Sequence, residues 1–273
     1  MPLLATIAAI IFEQHEDRPL PDNQYELYEA YQEFLRSART VAPGPFEHLR
    51  TGLLEHLGRV RLETDTSLVM AARGWVAERI APEDRPPGWQ NELTAFLAAV
   101  GPLVIRGNDL WFLHHSFAEH LAATAKARMV PEAFDPEHDA FAHLLHAAHQ
   151  GVSGRHARAV LLHYTRLHPT EADRLVQWLH GGTPNQQLLA ARLLARHVPA
   201  TAEVVDAFLA TARAWAMTAQ YPGGEILRRV SRAAHHPGLV PWLADLMREE
   251  TAPWQSRVEA ATALATRLQG ARR

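Results

Sequence analysis

The chain has 273 residues, enough for about two domains at roughly 150 residues each, and its 47% hydrophobic and 21% charged residues exclude intrinsic disorder. No apolar run reaches the roughly 18 residues that a bilayer-spanning helix needs, and a net charge of -3 gives no general attraction to nucleic acid or anionic lipid. Because the chain contains no cysteine, disulfides, thiolate zinc sites and cysteine nucleophiles are excluded, and a cytoplasmic location is the default expectation.

Two helices are expected at the start of the chain. Residues 2–14 are apolar enough to be compared with a signal peptide, but they lack a basic leading segment and a cleavage site, so we expect a buried helix. Residues 24–39 show helical periodicity, and Pro19 and Pro21 break the pattern between the two helices.

The next part of the chain predicts a winged-helix-like domain over residues 45–130. Helices are expected near 46–57, 66–80 and 90–100. The stretches PLVIR and LWFLH then flank a Gly-Asn-Asp turn, which is the pattern of a β-hairpin. A further helix follows the hairpin directly.

Two helix starts carry capping signals. Ser116 and Glu119 have the spacing of a capping box, which predicts the start of the helix after the hairpin, running to about Arg128. Thr183 followed by Pro184 places a cap and a first-turn proline at the start of a later helix.

From about residue 131 the pattern is purely helical. Pairs of helices are expected from 175, 204 and 239, so their starts lie 29 and 35 residues apart. Repeats of this length are typical of HEAT-like solenoids, in which stacked helix pairs bury a continuous core. Trp178 and Trp242 occupy matching places in two repeats and are expected in that core. The predicted fold class is mainly α: a winged-helix-like domain with one small β-hairpin, then an irregular α-solenoid over residues 131–273.

Three stretches within the first 130 residues resemble one known family. They read PLLATIAAIIF, LPDNQYELYEAYQEFL and WFLHHSFAEHLAA. Together they are similar to the region just C-terminal to the nucleotide-binding core of NACHT-type STAND NTPases, the class that includes the NOD-like receptors. Residues 112–123 match the motif that closes the winged helix in this family, except that Ala118 replaces a glutamine and His120 replaces an aromatic residue. By this resemblance residues 1–44 correspond to the end of a NACHT helical domain.

The resemblance implies a nucleotide-sensing role for His114. In the family the histidine at this place in the motif approaches the β-phosphate of ADP and holds the closed, resting state. The residues themselves are compatible with that role, because His114 ends a predicted strand beside a helix N-terminus, where free N–H groups attract anions. The other interpretation is a histidine that only caps or packs at the strand–helix junction.

The groups that hydrolyse nucleotide are missing from the sequence. No G-x-x-x-x-G-K-[ST] occurs, and the only lysine, Lys126, lies inside a predicted helix. We therefore expect that the chain is not an enzyme by itself and holds no cofactor in isolation, so that ADP or ATP binds only when a NACHT core completes the site. The resemblance implies a NACHT core or another protein as partner and helical repeats after the winged helix.

Two functional hypotheses remain open: a regulatory and sensor fragment of a NACHT-type signalling ATPase, and a helical-repeat interaction scaffold without a nucleotide role. A DNA-binding winged helix is disfavoured, because the expected recognition helix carries only Lys126 and Arg128 as basic residues. A metal site formed by His143, His146 and His149 is also disfavoured, because each step of three residues turns the side chain about 60° around the helix.

Overall fold

The computed structural model describes residues 2–14, 24–37, 44–218 and 238–270. The described residues form a mainly helical protein with one small antiparallel sheet, so the predicted fold class is confirmed. The chain divides into two compact units, Met1–Lys126 and Ala127–Arg273. The boundary predicted after residue 44 falls inside the first unit.

The first unit places a hairpin between helices. In chain order its elements are α1 (Pro2–Gln14), α2 (Gln24–Ser37), α3 (Arg50–Glu63), α4 (Leu68–Ala77), α5 (Trp89–Val100), β1 (Leu103–Arg106), β2 (Asp109–Phe112) and α6 (His115–Ala127). Short 3-10 turns precede α3 and α5, at Glu47–Leu49 and Pro82–Asp84. From α3 onward the elements follow the order predicted for residues 45–130.

The two N-terminal helices pack through the residues that their periodicity singles out. On α1, Ile7 and Ile11 lie one turn apart and are 1% and 5% exposed. On α2, Leu27 and Tyr28 are buried in the same core, and α2 packs against both α1 and α5. The apolar start of the chain is therefore a packed helix, as expected.

The hairpin is held by its turn and by helix α4. Gly107 has a φ of 62° at the first position of the two-residue turn, a conformation that glycine adopts without steric cost. Across the turn Arg106 pairs with Asp109. The Asp109 carboxylate accepts hydrogen bonds from Ser67 Oγ at 2.9 Å and from the Val69 N–H at 3.0 Å. The start of β2 therefore also caps the N-terminus of α4.

Helix α3 crosses α6 at a glycine. A Cβ on Gly58 would lie 2.9 Å from Leu121 Cβ, 3.0 Å from the Ala118 carbonyl oxygen and 3.1 Å from the Ala122 nitrogen. Two of these neighbours are backbone atoms, which cannot move aside unless a whole helix shifts. Ala118, one of the departures from the resembled motif, is fully buried at this crossing. The glycine therefore sets the distance between the two helices.

Replacing Gly58 by alanine should destabilise the protein by about 1–3 kcal/mol, because the added methyl group overpacks the crossing of α3 and α6. Gly74 on α4 is the matched control, since nothing lies within 4 Å of its Cβ position. Gly74→Ala should instead stabilise by about 0.5–1 kcal/mol through better helix propensity. Urea unfolding followed by circular dichroism measures both changes, and equal effects of the two substitutions would contradict the close crossing.

In its described part the second unit consists of helices. They are α7 (Asp139–His149), α8 (Arg155–Leu167), α9 (Pro169–His180), α10 (Pro184–Leu194), α11 (Ala202–Thr218), α12 (Leu239–Arg248) and α13 (Trp254–Gly270). Helix α9 packs against α10, and α12 packs against α13, so the pairs predicted from 175 and 239 are present. The partner helix expected for α11, at 225–234, lies outside the described residues.

The helices of the second unit stack in a row. Helix α8 packs against α9, α9 against α11, and α11 against α12, while α7 packs against both α8 and α10. His168 alone separates α8 from α9, so two neighbours in the row are also consecutive in the sequence. A regular solenoid would instead cross to the other layer at each connection. This connection is a departure from a regular solenoid that lies before the first repeat start predicted at 175, so the uneven spacing of the repeat starts did not predict it.

The two tryptophans expected in the repeat core are only half-buried, which corrects the prediction. Trp242 of α12 donates its Nε1–H to the Leu209 carbonyl of α11 at 3.1 Å. Trp178 of α9 contacts Phe134 edge-on, with ring centroids 6.0 Å apart. Each ring lies at the edge of a packed contact, because an indole can bury its apolar body while part of its surface stays accessible.

Side-chain hydrogen bonds support the starts of helices α10 and α11. Thr183 Oγ1 accepts the Gln186 N–H at 3.4 Å, and Gln186 Oε1 accepts the Thr183 N–H at 2.7 Å, so the cap predicted at the start of α10 is confirmed. Asp173 of α9 accepts hydrogen bonds from the Thr201 N–H at 2.7 Å and from Thr201 Oγ1 at 2.9 Å. This carboxylate therefore ties α9 to the start of α11.

Replacing Asp173 by alanine should cost about 1–2 kcal/mol of unfolding free energy, because two hydrogen bonds to a charged acceptor are lost at the start of α11. Asp245→Ala is the matched control: the Asp245 side chain is 65% exposed, and among the described residues it pairs with Arg248 of its own helix, at 3.8 Å. Its loss should change the unfolding free energy by less than about 0.5 kcal/mol. Thermal unfolding of the two variants measures the difference, and a tie between them would contradict the role of Asp173.

Candidate functional site

His114 lies at the junction between the hairpin and helix α6. The Leu113 N–H donates to the Pro102 carbonyl at 2.9 Å, which extends the hairpin up to the residue before it. Helix α6 begins at His115, and His114 Nδ1 accepts a hydrogen bond from the Ser116 N–H at 3.2 Å. His114 is therefore the N-cap of α6, because its ring nitrogen satisfies one of the free N–H groups of the first turn. The imidazole is exposed.

Among the described residues, the capping box predicted from Ser116 and Glu119 is not formed. Ser116 lies within the first turn of α6 rather than before it, because His114 occupies the cap position. The Ser116 hydroxyl contacts two side chains instead of a backbone N–H, and Glu119 lies 3.6 Å from the exposed His115 ring. The spacing therefore predicted the helix start within one residue but assigned the cap to the wrong side chain.

A chain of hydroxyl groups connects His114 to helix α2, and we name it the hydroxyl relay (Tyr28, Ser116, His114). Tyr28 Oη donates to Ser116 Oγ at 2.6 Å, and Ser116 Oγ lies 2.7 Å from His114 Nδ1. Tyr28 is 1% exposed and Ser116 is 3% exposed, so the bond between them is buried, whereas the bond from Ser116 to the exposed His114 is partly buried. Sequence reasoning missed Tyr28: the residue lies in the ELY segment that carries the resemblance, but nothing in its local spacing points to Ser116.

The backbone decides the direction of the hydroxyl relay. A backbone N–H can only donate, so the bond from the Ser116 N–H requires a lone pair on His114 Nδ1. The Ser116 hydroxyl then donates to that lone pair, and Tyr28 donates to the Ser116 oxygen. Because a neutral imidazole carries one hydrogen, that hydrogen sits on Nε2. Nε2 has no hydrogen-bond partner among the described residues, so the exposed edge of the ring presents a donor.

An aromatic cluster of α2 and α6 side chains packs against Tyr28 of the hydroxyl relay. Phe117 is fully buried, with its ring centroid 4.8 Å from that of Tyr28 and 5.7 Å from that of Tyr31. His120 is 5% exposed and contacts the rings of Tyr25 at 6.1 Å and Tyr28 at 5.3 Å. His120 therefore fills, with an aromatic ring of its own, the place where the resembled motif has an aromatic residue.

The three histidines of α7 differ in exposure. His143 and His146 are exposed and His149 is half-buried. No group of three or more His, Cys, Asp or Glu side chains that could hold a metal ion occurs in the part of the chain that the structure describes. Burial, together with the positive charges of Arg192 and His146, lowers the pKa of His149 from its ordinary value.

A scan against protein-family models, a search of curated proteins and a search of solved structures each returned no match. Within the described ranges, no helix combines the length and the apolar character needed to cross a bilayer.

His149 should make the protein less stable in mild acid. Its pKa is lowered in the folded state, so the unfolded chain binds the proton more readily as the pH falls from about 6.5 toward the lower folded-state pKa, and stability is lost over that interval. His149→Gln should flatten this fall in Tm, whereas His143→Gln, at an exposed position of the same helix, should not. Thermal unfolding at a series of pH values is the measurement, and superimposable profiles for His149→Gln and the unsubstituted chain would refute it.

Proposed function

We propose that the chain is a regulatory and sensor fragment of a NACHT-type signalling ATPase. In this function the winged-helix-like domain reads the state of a nucleotide held by a NACHT core, and the helical row of the second unit binds a trigger or protein partner. The observation that carries the proposal is the environment of His114. Hydrogen bonds to Ser116 hold its Nδ1, while Nε2 has no hydrogen-bond partner among the described residues and the residue is exposed at a helix start. The resemblance of residues 112–123 to the family motif supplies the identity of the ligand.

The chemistry of His114 suits a phosphate group. Its Nε2–H is a donor, and the oxygens of the ADP β-phosphate are acceptors that form strong, charge-assisted hydrogen bonds. The first N–H groups of α6 and the helix dipole add positive potential at the same place. If the contact forms only when the winged helix closes on the core, it stabilises the closed state relative to the open one, and only such differential affinity shifts a conformational equilibrium.

We propose ADP or ATP as a cofactor of the completed assembly only. The single lysine, Lys126, lies eleven residues after His115 on α6, which is roughly 16 Å along the helix at 1.5 Å per residue. It therefore does not reach the phosphate-facing end of the helix. In P-loop NTPases the core supplies the phosphate-binding loop, the lysine and the Mg²⁺ ligands, so a NACHT core is the partner and the chain alone is not an enzyme.

A helical-repeat interaction scaffold is the second candidate, and one observation favours it. His114 already has a structural role as the N-cap of α6, and His138 does the same for α7, where its Nδ1 accepts the Ala140 N–H at 3.2 Å. If capping were the whole role of His114, the two histidines would be equivalent. The winged helix would then be inert, and partner binding would fall to the second unit.

The isolated chain should bind ADP and ATP negligibly and should not hydrolyse ATP. One histidine and one helix N-terminus cannot replace the phosphate-binding loop and the Mg²⁺ ligands, which supply most of the affinity in P-loop proteins. Isothermal titration calorimetry of the purified chain with each nucleotide is the measurement. Binding with a Kd of about 1 μM or tighter, about 8 kcal/mol of binding free energy, would contradict the proposal of a separate core.

Substituting His114 by asparagine separates capping from nucleotide sensing. Asparagine is a good N-cap and can still accept the Ser116 N–H, but it lacks the Nε2–H donor. A hydrogen bond to a charged group contributes about 1.5–3 kcal/mol, so in the assembly with the NACHT core His114→Asn should speed ADP dissociation roughly 10- to 100-fold. Two control substitutions should leave the ADP dissociation rate unchanged. They are His115→Asn, at the exposed neighbour of His114, and His138→Asn, at the equivalent cap of α7.

The rate is measured by displacement of a fluorescent ADP analogue from the reconstituted assembly. The core for this experiment would be a P-loop protein identified by sequencing the DNA on either side of the coding sequence, and expressed together with the chain. Small and equal effects of the three substitutions would favour the scaffold.

A further inference from the structure

We propose that Tyr28 and Ser116 are positioning residues that hold His114 in the Nε2–H tautomer, and that they thereby make the site a donor to an anionic oxygen rather than a ligand for a metal cation. The basis is a series of two hydrogen bonds: the buried Tyr28 hydroxyl of α2 contacts the buried Ser116 hydroxyl, which in turn contacts one ring nitrogen of exposed His114. The tautomer is independent of the proposed function, whereas the identity of the anion as a nucleotide phosphate rests on it.

The tautomer of a histidine decides which ligands it accepts. A neutral imidazole carries its hydrogen on either nitrogen, and the two forms interconvert unless neighbouring groups select one. With the hydrogen on Nε2, the exposed edge of His114 donates to a phosphate or carboxylate oxygen. With the hydrogen on Nδ1, the same edge would present a lone pair, which repels an anionic oxygen and coordinates a metal cation.

The hydroxyl relay disfavours the second form. Placing a hydrogen on His114 Nδ1 would remove the bond from the Ser116 N–H, because a backbone N–H cannot reverse its direction. The Ser116 hydroxyl hydrogen would also have to turn away from Nδ1, on a side chain that is only 3% exposed, while the Ser116 oxygen could still accept from Tyr28. Because hydrogen bonds in a series strengthen one another, donation from Tyr28 makes the Ser116 hydroxyl a stronger donor to Nδ1 and raises the cost of losing that bond.

The cap of α7 shows what the hydroxyl relay adds. His138 Nδ1 accepts only the Ala140 N–H, at 3.2 Å, and no hydroxyl contacts it among the described residues. His114 has the same backbone bond at the same distance and, in addition, the 2.7 Å bond with Ser116 Oγ. A histidine therefore caps a helix in this chain without a relay. Capping does not explain why the Ser116 hydroxyl contacts His114 Nδ1 or why the buried Tyr28 hydroxyl contacts Ser116.

Helix α2 offers a matched control for Tyr28. Tyr31 lies one turn later on α2 and packs against the same ring of Phe117, with centroids 5.7 Å apart. Its hydroxyl has no hydrogen-bond partner among the described residues. Tyr31→Phe therefore removes a phenolic O–H beside the same aromatic cluster and leaves the hydroxyl relay intact.

The tautomer is tested on the isolated full chain by ¹⁵N NMR of its histidine side chains, at a pH well above the ordinary histidine pKa of about 6.5. The His114 signals are assigned with His114→Gln. In the unsubstituted chain and in Tyr31→Phe, Nδ1 should resonate as an unprotonated and Nε2 as a protonated nitrogen, without averaging. In Tyr28→Phe and Ser116→Ala, both shifts should move toward the averaged values of exposed His115.

Identical His114 shifts in all four proteins, or a protonated Nδ1 in the unsubstituted chain, would overturn the proposal. Ser116→Ala keeps the backbone N–H that caps α6, so it decides the question if Tyr28→Phe does not fold.

The class of ligand is tested in the assembly with the NACHT core, with ADP as the probe. Tyr28→Phe and Ser116→Ala should speed ADP release about 2- to 10-fold, because the His114 Nε2–H donor is then oriented less well. This is the same direction of change as expected for His114→Asn. Tyr31→Phe should leave the release rate unchanged. If His114→Asn speeds release and the relay variants do not, the positioning role is overturned while the proposed function stands. If none of them changes the rate, the nucleotide assignment itself fails, and the NMR result alone decides the tautomer.

Discussion

The contact between α2 and α6 is the interaction on which the first unit and its candidate site both depend. Phe117 is fully buried against the ring of Tyr28, and the hydroxyl of the same tyrosine reaches Ser116 one residue earlier on α6. An aromatic pair of this kind contributes about 0.5–1.5 kcal/mol beyond the burial of its surface. Because α6 starts directly after His114, the packing that fixes the helix start also fixes the imidazole. Stability and site geometry therefore come from one contact.

The rest of the first unit holds that helix start in place from other directions. Gly58 lets α3 approach the middle of α6 at backbone distance, and Asp109 ties the hairpin to the start of α4. His114 follows the hairpin by two residues, so a strand pair on one side and a packed helix on the other limit its movement. A donor that contacts a phosphate, as we propose for His114, needs such support, since its position has to be correct to within about 0.5 Å.

Local patterns predicted the elements well, and the site only in part, because they contain no information about tertiary competition. The hairpin follows from the turn at Gly107, and the cap at Thr183 forms because its partners lie within three residues. Ser116 has comparable local spacing, yet its hydroxyl bonds to a tyrosine 88 residues away, and His114 takes the cap instead. The same limit applies to the second unit. Helix periodicity did not predict that α8 and α9, which only His168 separates, would pack side by side in the same row of helices.

We propose two separate roles: the exposed His114 imidazole, oriented by buried hydroxyls, responds to a bound nucleotide, and the helices of the second unit bind a protein partner. The central claim is that His114 Nε2 donates to a phosphate oxygen in the closed state. A structure of the ADP-bound assembly with its NACHT core tests it most directly. The account predicts Nε2 at about 2.7–3.2 Å from a β-phosphate oxygen, with Nδ1 still bonded to Ser116. An ADP-bound structure in which the His114 ring faces solvent, with no phosphate in reach, would contradict it.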